Sequence, residues 1–139
     1  MRRSWLAGIF TAALLIAVGC SAETDGVCVD PVPGNNCQPE YEPTFENVYQ
    51  RTILQRCAIG GGACHLAAGD RGGLTLEGID VAYDALVTAG RVQASDPECS
   101  LLIDRLERRG ESGLMPPGNQ LSDAERCAVT QWVREGATR

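Results

Sequence analysis

Hydrophobic and polar positions fall into short helical periods separated by glycine-rich breaks. Phe45, Val48, Tyr49 and Ile53 recur at three- and four-residue spacing, the mark of one buried helix face. Thr44 suits the N-cap, so the pattern predicts a first helix running to about Arg56. Gly60-Gly61-Gly62 then breaks the period, and Gly72-Gly73 opens a loop carrying Leu74 and Leu76. A second short helix is predicted from Asp80 to Thr88, with Val81, Ala85 and Leu86 inward and Gly90 after it. Asp96-Pro97 predicts the start of a third, because aspartate caps and proline suits the first helical position. Leu101, Leu102 and Leu106 supply its apolar stripe, and Gly110 its end.

Gly113-Leu114-Met115-Pro116-Pro117-Gly118 follows as an irregular stretch that two prolines stiffen. The last helix carries the strongest signal. Ser122-Asp123-Ala124-Glu125 has the form of a capping box. Ala124, Ala128 and Trp132 share one face, and Gly136 supplies the stop. No strand alternation and no internal repeat are present. The expected fold class is all-α, about four short helices with long loops, stapled by disulfides.

The N-terminal end follows a different pattern. Arg2 and Arg3 precede an apolar run from Trp5 to Val18, too short to favour a membrane span. Residues 1–19 are expected to be a signal peptide. Leu15-Ile16-Ala17-Val18-Gly19-Cys20-Ser21 resembles the lipobox of bacterial lipoproteins, which implies lipidation of Cys20. Serine after that cysteine further suggests the outer membrane of a Gram-negative cell. Residues 20–43 are rich in Gly, Pro, Asn, Asp and Glu, without an apolar period, and read as a lipidated N-terminus and flexible tether. Residues 44–139 then form the single folded domain.

Charge and cysteine content narrow the role. The formal charge of the 139-residue chain is −6, and every basic residue is arginine. Cleavage before Cys20 removes two arginines and no acid, leaving −8. Nucleic acid needs a basic face and is excluded as a partner. Export leads to an oxidising compartment where disulfides persist. Six cysteines follow Cys20: Cys28, Cys37, Cys57, Cys64, Cys99 and Cys127. Local pairing of Cys28 with Cys37 is expected, as a small loop in the tether. A second bridge, Cys99–Cys127, is expected between the last two helices.

Cys57-Ala-Ile-Gly-Gly-Gly-Ala-Cys64-His65 holds the chain's single histidine. A cysteine pair ending directly in histidine is the form of the c-type haem attachment signature, Cys-x-x-Cys-His. There the thiols bond the porphyrin vinyls and the imidazole ligates iron. Here the spacer has six residues rather than two, and its glycines allow it to loop out. Met115 is the one methionine after the signal segment, so His65 and Met115 form a candidate axial pair. Zinc fits poorly, since a structural site wants four ligands and the cysteines are widely spaced. The competing reading is a Cys57–Cys64 disulfide with His65 merely exposed.

Several pieces together resemble the small cytochrome c-like domains of bacterial exported proteins, of planctomycete and myxobacterial type. They are Ile53-Leu54-Gln55-Arg56-Cys57, Cys64-His65, Gly73-Leu74-Thr75-Leu76, Ser100-Leu101-Leu102, Met115-Pro116-Pro117, Leu121-Ser122 with Glu125, and Trp132-Val133 with Gly136-Ala137. The resemblance covers about the last two-thirds of the chain. It implies a cytochrome c-like fold in which the first and last helices pack together around a covalent haem c. Cys57 and Cys64 match the thioether positions, His65 the proximal ligand and Met115 the distal one. The expected function is electron transfer at the cell envelope, on the periplasmic side, by a lipid-anchored monohaem cytochrome with a redox protein as partner. The alternative is a haem-free, disulfide-stapled envelope interaction module. With one histidine and no evident carboxylate pair, an enzyme is not expected.

Overall fold

A computed structural model describes residues 28–31, 33–60, 63–108 and 113–139. The expected signal segment, the lipobox-like run with Cys20, and Gly61, Gly62 and Gly110 lie outside them. Among the described residues there are four helices and no strand. Helix α1 begins as an α-helix, Phe45–Asn47, and continues as a π-helix, Val48–Cys57. Helix α2 does the same, Ile79–Tyr83 followed by Asp84–Thr88. Helices α3 (Leu101–Glu107) and α4 (Asp123–Arg134) are α-helical throughout.

Thr44 caps α1, its Oγ1 accepting from the Asn47 N–H at 3.3 Å. The buried set Phe45, Val48, Tyr49, Thr52 and Ile53 recurs after three and four residues. That is the ordinary helical period; the wider i→i+5 turn shows in the backbone, where the Ala58 N–H donates to Ile53 O at 2.8 Å. The face read from the sequence is therefore the buried one, with Thr52 added. Its hydroxyl is paired with the buried Tyr41 hydroxyl.

Helix α4 forms as its local sequence requires. Ser122 Oγ accepts from the Glu125 N–H at 3.1 Å, while Glu125 Oε2 accepts from the Ser122 N–H at 2.8 Å. At the other end Gly136, at φ 103°, bonds Val133 O, and the Ala137 N–H bonds Trp132 O. Those two bonds close a Schellman motif, which only a residue free to adopt positive φ completes cheaply. The core centres on Phe45, whose ring lies 5.2 Å from that of Trp132 and 5.0 Å from that of Tyr83. It ties α1, α2 and α4 together; aromatic pairs add about 0.5–1.5 kcal/mol each beyond area burial. Val48, Ile53, Leu86, Ile103, Leu106, Val129 and Val133 fill the rest.

The structure corrects four expectations. First, Asp96-Pro97 does not open α3. Asp96 Oδ1 instead caps a turn by accepting from the Cys99 N–H at 3.1 Å. The fully buried Ser100 hydroxyl donates to Asp96 O at 2.8 Å and accepts from the Gln93 N–H at 2.8 Å. The helix begins only at Leu101, so its inward residues are Ile103 and Leu106, with Leu102 half-buried and Leu101 45% exposed. Second, α2 turns Ala82 and Leu86 inward and leaves Val81 exposed.

Third, the bridges are Cys28–Cys99 and Cys37–Cys127, in place of the local Cys28–Cys37 and the Cys99–Cys127 pairing. All four cysteines expected to be bridged are bridged, with exchanged partners. Fourth, residues 28–31 and 33–43 are fastened to the domain rather than trailing from it. The Val29 N–H bonds Glu98 O at 2.8 Å, the Glu40 N–H bonds Ala124 O at 3.1 Å, and Tyr41 is buried. Sequence separations of 71 and 90 residues make both bridges long-range. In the chain-entropy view each alone restrains the unfolded chain by about 4–5 kcal/mol.

Candidate functional site

Cys57 is the last residue of the π-helical part of α1. The chain leaves the helix through Ala58 and turns at Gly60, at φ 84°, where the Ala63 N–H donates to Gly60 O at 3.0 Å. A Cβ at Gly60 would meet Ala63 Cβ at 3.3 Å and Cys64 Sγ at 3.7 Å, so glycine suits that turn in both conformation and space. The His65 N–H donates to Cys57 O at 3.2 Å, which sets Cys64-His65 beside Cys57.

The imidazole of His65 is held from the neighbouring loop. His65 Nδ1 lies 3.1 Å from Leu74 O. A carbonyl only accepts, so Nδ1 carries the proton and Nε2 keeps its lone pair in the neutral ring. The same two segments are joined again by the Leu76 N–H donating to His65 O at 2.7 Å. Gly78 anchors the end of the loop, its N–H donating to Tyr49 Oη at 2.9 Å. The start of the loop is held by Arg91, whose Nη2 donates to Gly73 O at 2.8 Å.

Cys57 and Cys64 are unpaired and half-buried. Burial, then the neighbouring Cys64, then Glu125 push the Cys57 thiol up to about 12. It stays protonated at neutral pH, which argues against a role as a nucleophilic thiolate. Glu125 is the buried carboxylate of the α4 capping box, and its Oε1 accepts from Arg56 Nε at 3.0 Å. One side chain therefore starts α4 and ties it to the end of α1, next to Cys57.

Met115 stands on a different support. Its N–H donates to Arg105 O of α3 at 2.8 Å, and Gln120 Nε2 bonds Leu106 O at 3.3 Å. The loop carrying Met115 is thus fastened to α3, and Met115 itself is half-buried. One backbone bond, His65 N–H to Cys57 O, brings Cys64-His65 to Cys57; Met115 is positioned separately.

Among the described residues no cluster of three or more His, Cys, Asp or Glu side chains is arranged to hold a metal ion. The donors beside Cys57 are thiol and imidazole rather than a cluster of carboxylates. The site offers two unpaired thiols and one imidazole whose Nδ1 is already engaged, the arrangement that orients a histidine ligand. Sequence reading missed Leu74 O, Arg91 and the second role of Glu125. A backbone carbonyl has no sequence signal, and Arg91 sits apart from every motif. Comparison with protein-family models, curated proteins and solved structures finds no match.

Proposed function

We propose that the protein is a monohaem c-type cytochrome-like lipoprotein that transfers electrons at the cell envelope. The observation that carries this reading is the His65 Nδ1–Leu74 O bond, beside the two described cysteines left unpaired while the other four are bridged. Cys57 and Cys64 would hold the haem by thioethers, His65 Nε2 would be its proximal ligand and Met115 its distal one. When bound, haem c supplies a one-electron ferric/ferrous couple, and thioether ligation raises its potential.

The chain's own residues supply the frame. Leu74 O fixes the His65 ring and its tautomer. The Gly60 turn lets Cys64 come back to Cys57. Helix α3 steadies the Met115 segment. Two long-range disulfides suit an exported protein, and the lipobox at Cys20 supports anchoring of the folded domain to a membrane, with a redox protein in the envelope as its partner.

The test is a visible spectrum of mature protein exported by a host with cytochrome c maturation machinery. We expect covalent haem, a low-spin ferric spectrum and a weak long-wavelength band from sulfur coordination. Met115→Ala should remove that band, lower the potential and admit small ligands, with haem still attached. A correctly exported protein without haem, and a recovered Cys57–Cys64 linked peptide, would replace this reading with the haem-free, disulfide-stapled interaction module.

A further inference from the structure

We propose that Arg91 is a positioning residue for His65, acting through the backbone of the Gly73–Leu74 turn; its value for electron transfer rests on the reading of His65 as an iron ligand. Arg91 is well placed to act as a strut. Its backbone is fixed on both sides: the Val92 N–H donates to Leu86 O at 2.8 Å, and the Leu102 N–H of α3 donates to Arg91 O at 3.0 Å. From that fixed base the guanidinium forks. Nη1 donates to Ala85 O in α2 at 2.9 Å, and Nη2 donates to Gly73 O at 2.8 Å.

Gly73 O is one peptide unit before Leu74 O, the acceptor of His65 Nδ1. Gly73 sits at φ 64° and Gly72 at φ 67°, a glycine pair that adopts many conformations unless held. The next fixed points along the chain are Thr75, whose Oγ1 donates to Asp70 Oδ1 at 3.0 Å within the same turn, Leu76, bonded to His65 O, and Gly78, bonded to Tyr49 Oη. Upstream, the Gly73 N–H bonds only Asp70 O, inside the same turn. Arg91 is thus the described contact that ties the start of this segment to α2. It sets the direction in which the Leu74 carbonyl points. A planar fork with two donors in fixed geometry suits this task, and a lysine ammonium reaches one carbonyl at a time.

His65 is the only histidine in the chain, so ring nitrogen resonances report it without ambiguity. The experiment is 15N NMR of the mature full-length chain, exported by a host lacking haem attachment machinery. Wild type should show one tautomer, protonated at Nδ1. Arg91→Ala should populate both tautomers and speed Nδ1–H exchange about tenfold, the change that corresponds to one ordinary hydrogen bond. Arg91→Lys should fall between them. An Nδ1–H tautomer and exchange rate unchanged in a folded Arg91→Ala protein would overturn the proposal. If Arg91→Ala does not fold, an unchanged Arg91→Lys does the same. If the haem-free chain itself does not fold, Nδ1–H exchange is compared between haem-loaded wild type and Arg91→Lys, with the same two outcomes. Absence of haem from a maturation-competent host overturns the electron-transfer reading alone and leaves the Arg91–Leu74–His65 coupling to be decided by NMR.

Discussion

Two faces of this small domain are held in different ways. The N-terminal segment, the turn before α3 and helix α4 are joined by the Cys28–Cys99 and Cys37–Cys127 bridges. The Cys57–Leu76 region has no bridge; single hydrogen bonds hold it, from His65 N to Cys57 O, His65 Nδ1 to Leu74 O, and Arg91 to Gly73 O. If the chain is exported as proposed, its thiols meet an oxidising compartment with every chemical opportunity to pair. Where the cysteines are bridged, the fold is being restrained. Where two are left unpaired beside an oriented imidazole, the geometry supports chemistry. The contrast separates the restrained part of the chain from the part the proposed function uses.

The sharpest way to break that contrast is to cut a staple. Cys37→Ser or Cys127→Ser opens a 90-residue loop, for an expected loss of about 4–5 kcal/mol in denaturant melts, less where the second bridge already restrains the same chain. Peptide mapping should still show the Cys28–Cys99 link. If mapping of wild type instead returns Cys28–Cys37 and Cys99–Cys127, the stapled face is not built as described.

Alkaline pH probes the boundary between the two faces. Burial pushes the Tyr41 hydroxyl up to about 12, although its bond to Thr52 pulls the other way. A raised folded-state pKa contributes stability that is whole below about pH 10, the ordinary tyrosine value. That stability is lost as pH rises towards and through about 12. The loss is on the order of 2–3 kcal/mol. Tyr41→Phe should flatten the part of the pH–stability curve that begins near pH 10. Cys57 adds a second loss beginning near pH 9 when its thiol is free, and none when it is a thioether. The haem-loaded protein should therefore resist alkali better than the haem-free one.

Much of the stapled face was legible in local sequence, because helix caps are decided by residues three or four apart. Ser122, Glu125 and Gly136 do what their types and spacing require. Cysteine pairing was not legible, because it depends on which loops the tertiary fold brings together. The packing of residues 33–43 was hidden for a related reason. Tyr41 alone carries much of the burial, and one aromatic sets no period. In the site, Cys57, Cys64 and His65 are visible as a motif, while their support by Leu74 O and Arg91 comes from loops distant in sequence.

Glu125 belongs to both faces, and two substitutions separate its roles. Glutamine keeps one oxygen to accept from the Ser122 N–H, but its NH2 then meets the Arg56 donor, so the Arg56 hydrogen bond is lost with the charge; Arg56 is 40% exposed and regains water readily. We expect Glu125→Gln to cost under about 1 kcal/mol and Glu125→Ala about 1–2 kcal/mol. Equal losses in denaturant melts would mean that the Arg56 pair, rather than the cap, supports the junction.

The smallest expected effect concerns the register of α3. Its start was misread because Asp96 and Pro97 are good helix openers in isolation. In this fold Asp96 caps the Cys99 N–H and the fully buried Ser100 hydroxyl holds the turn closed. The helix therefore begins at Leu101, and its phase follows from that start. Ile103 and Leu106 face the core, at 1% and 2% exposure, while Leu101 faces water at 45%. Leu101→Gln should change stability by no more than about 0.5 kcal/mol, while Ile103→Ala serves as the buried control and should be clearly destabilising. The reverse order in thermal melts would restore the earlier helix start and move the Cys99 bridge onto the helix itself. Because Met115 N is bonded to Arg105 O, a changed phase for α3 would also move the distal half of the proposed site. The Met115→Ala spectrum and the Leu101→Gln melt thus report on the same register from opposite ends of the helix.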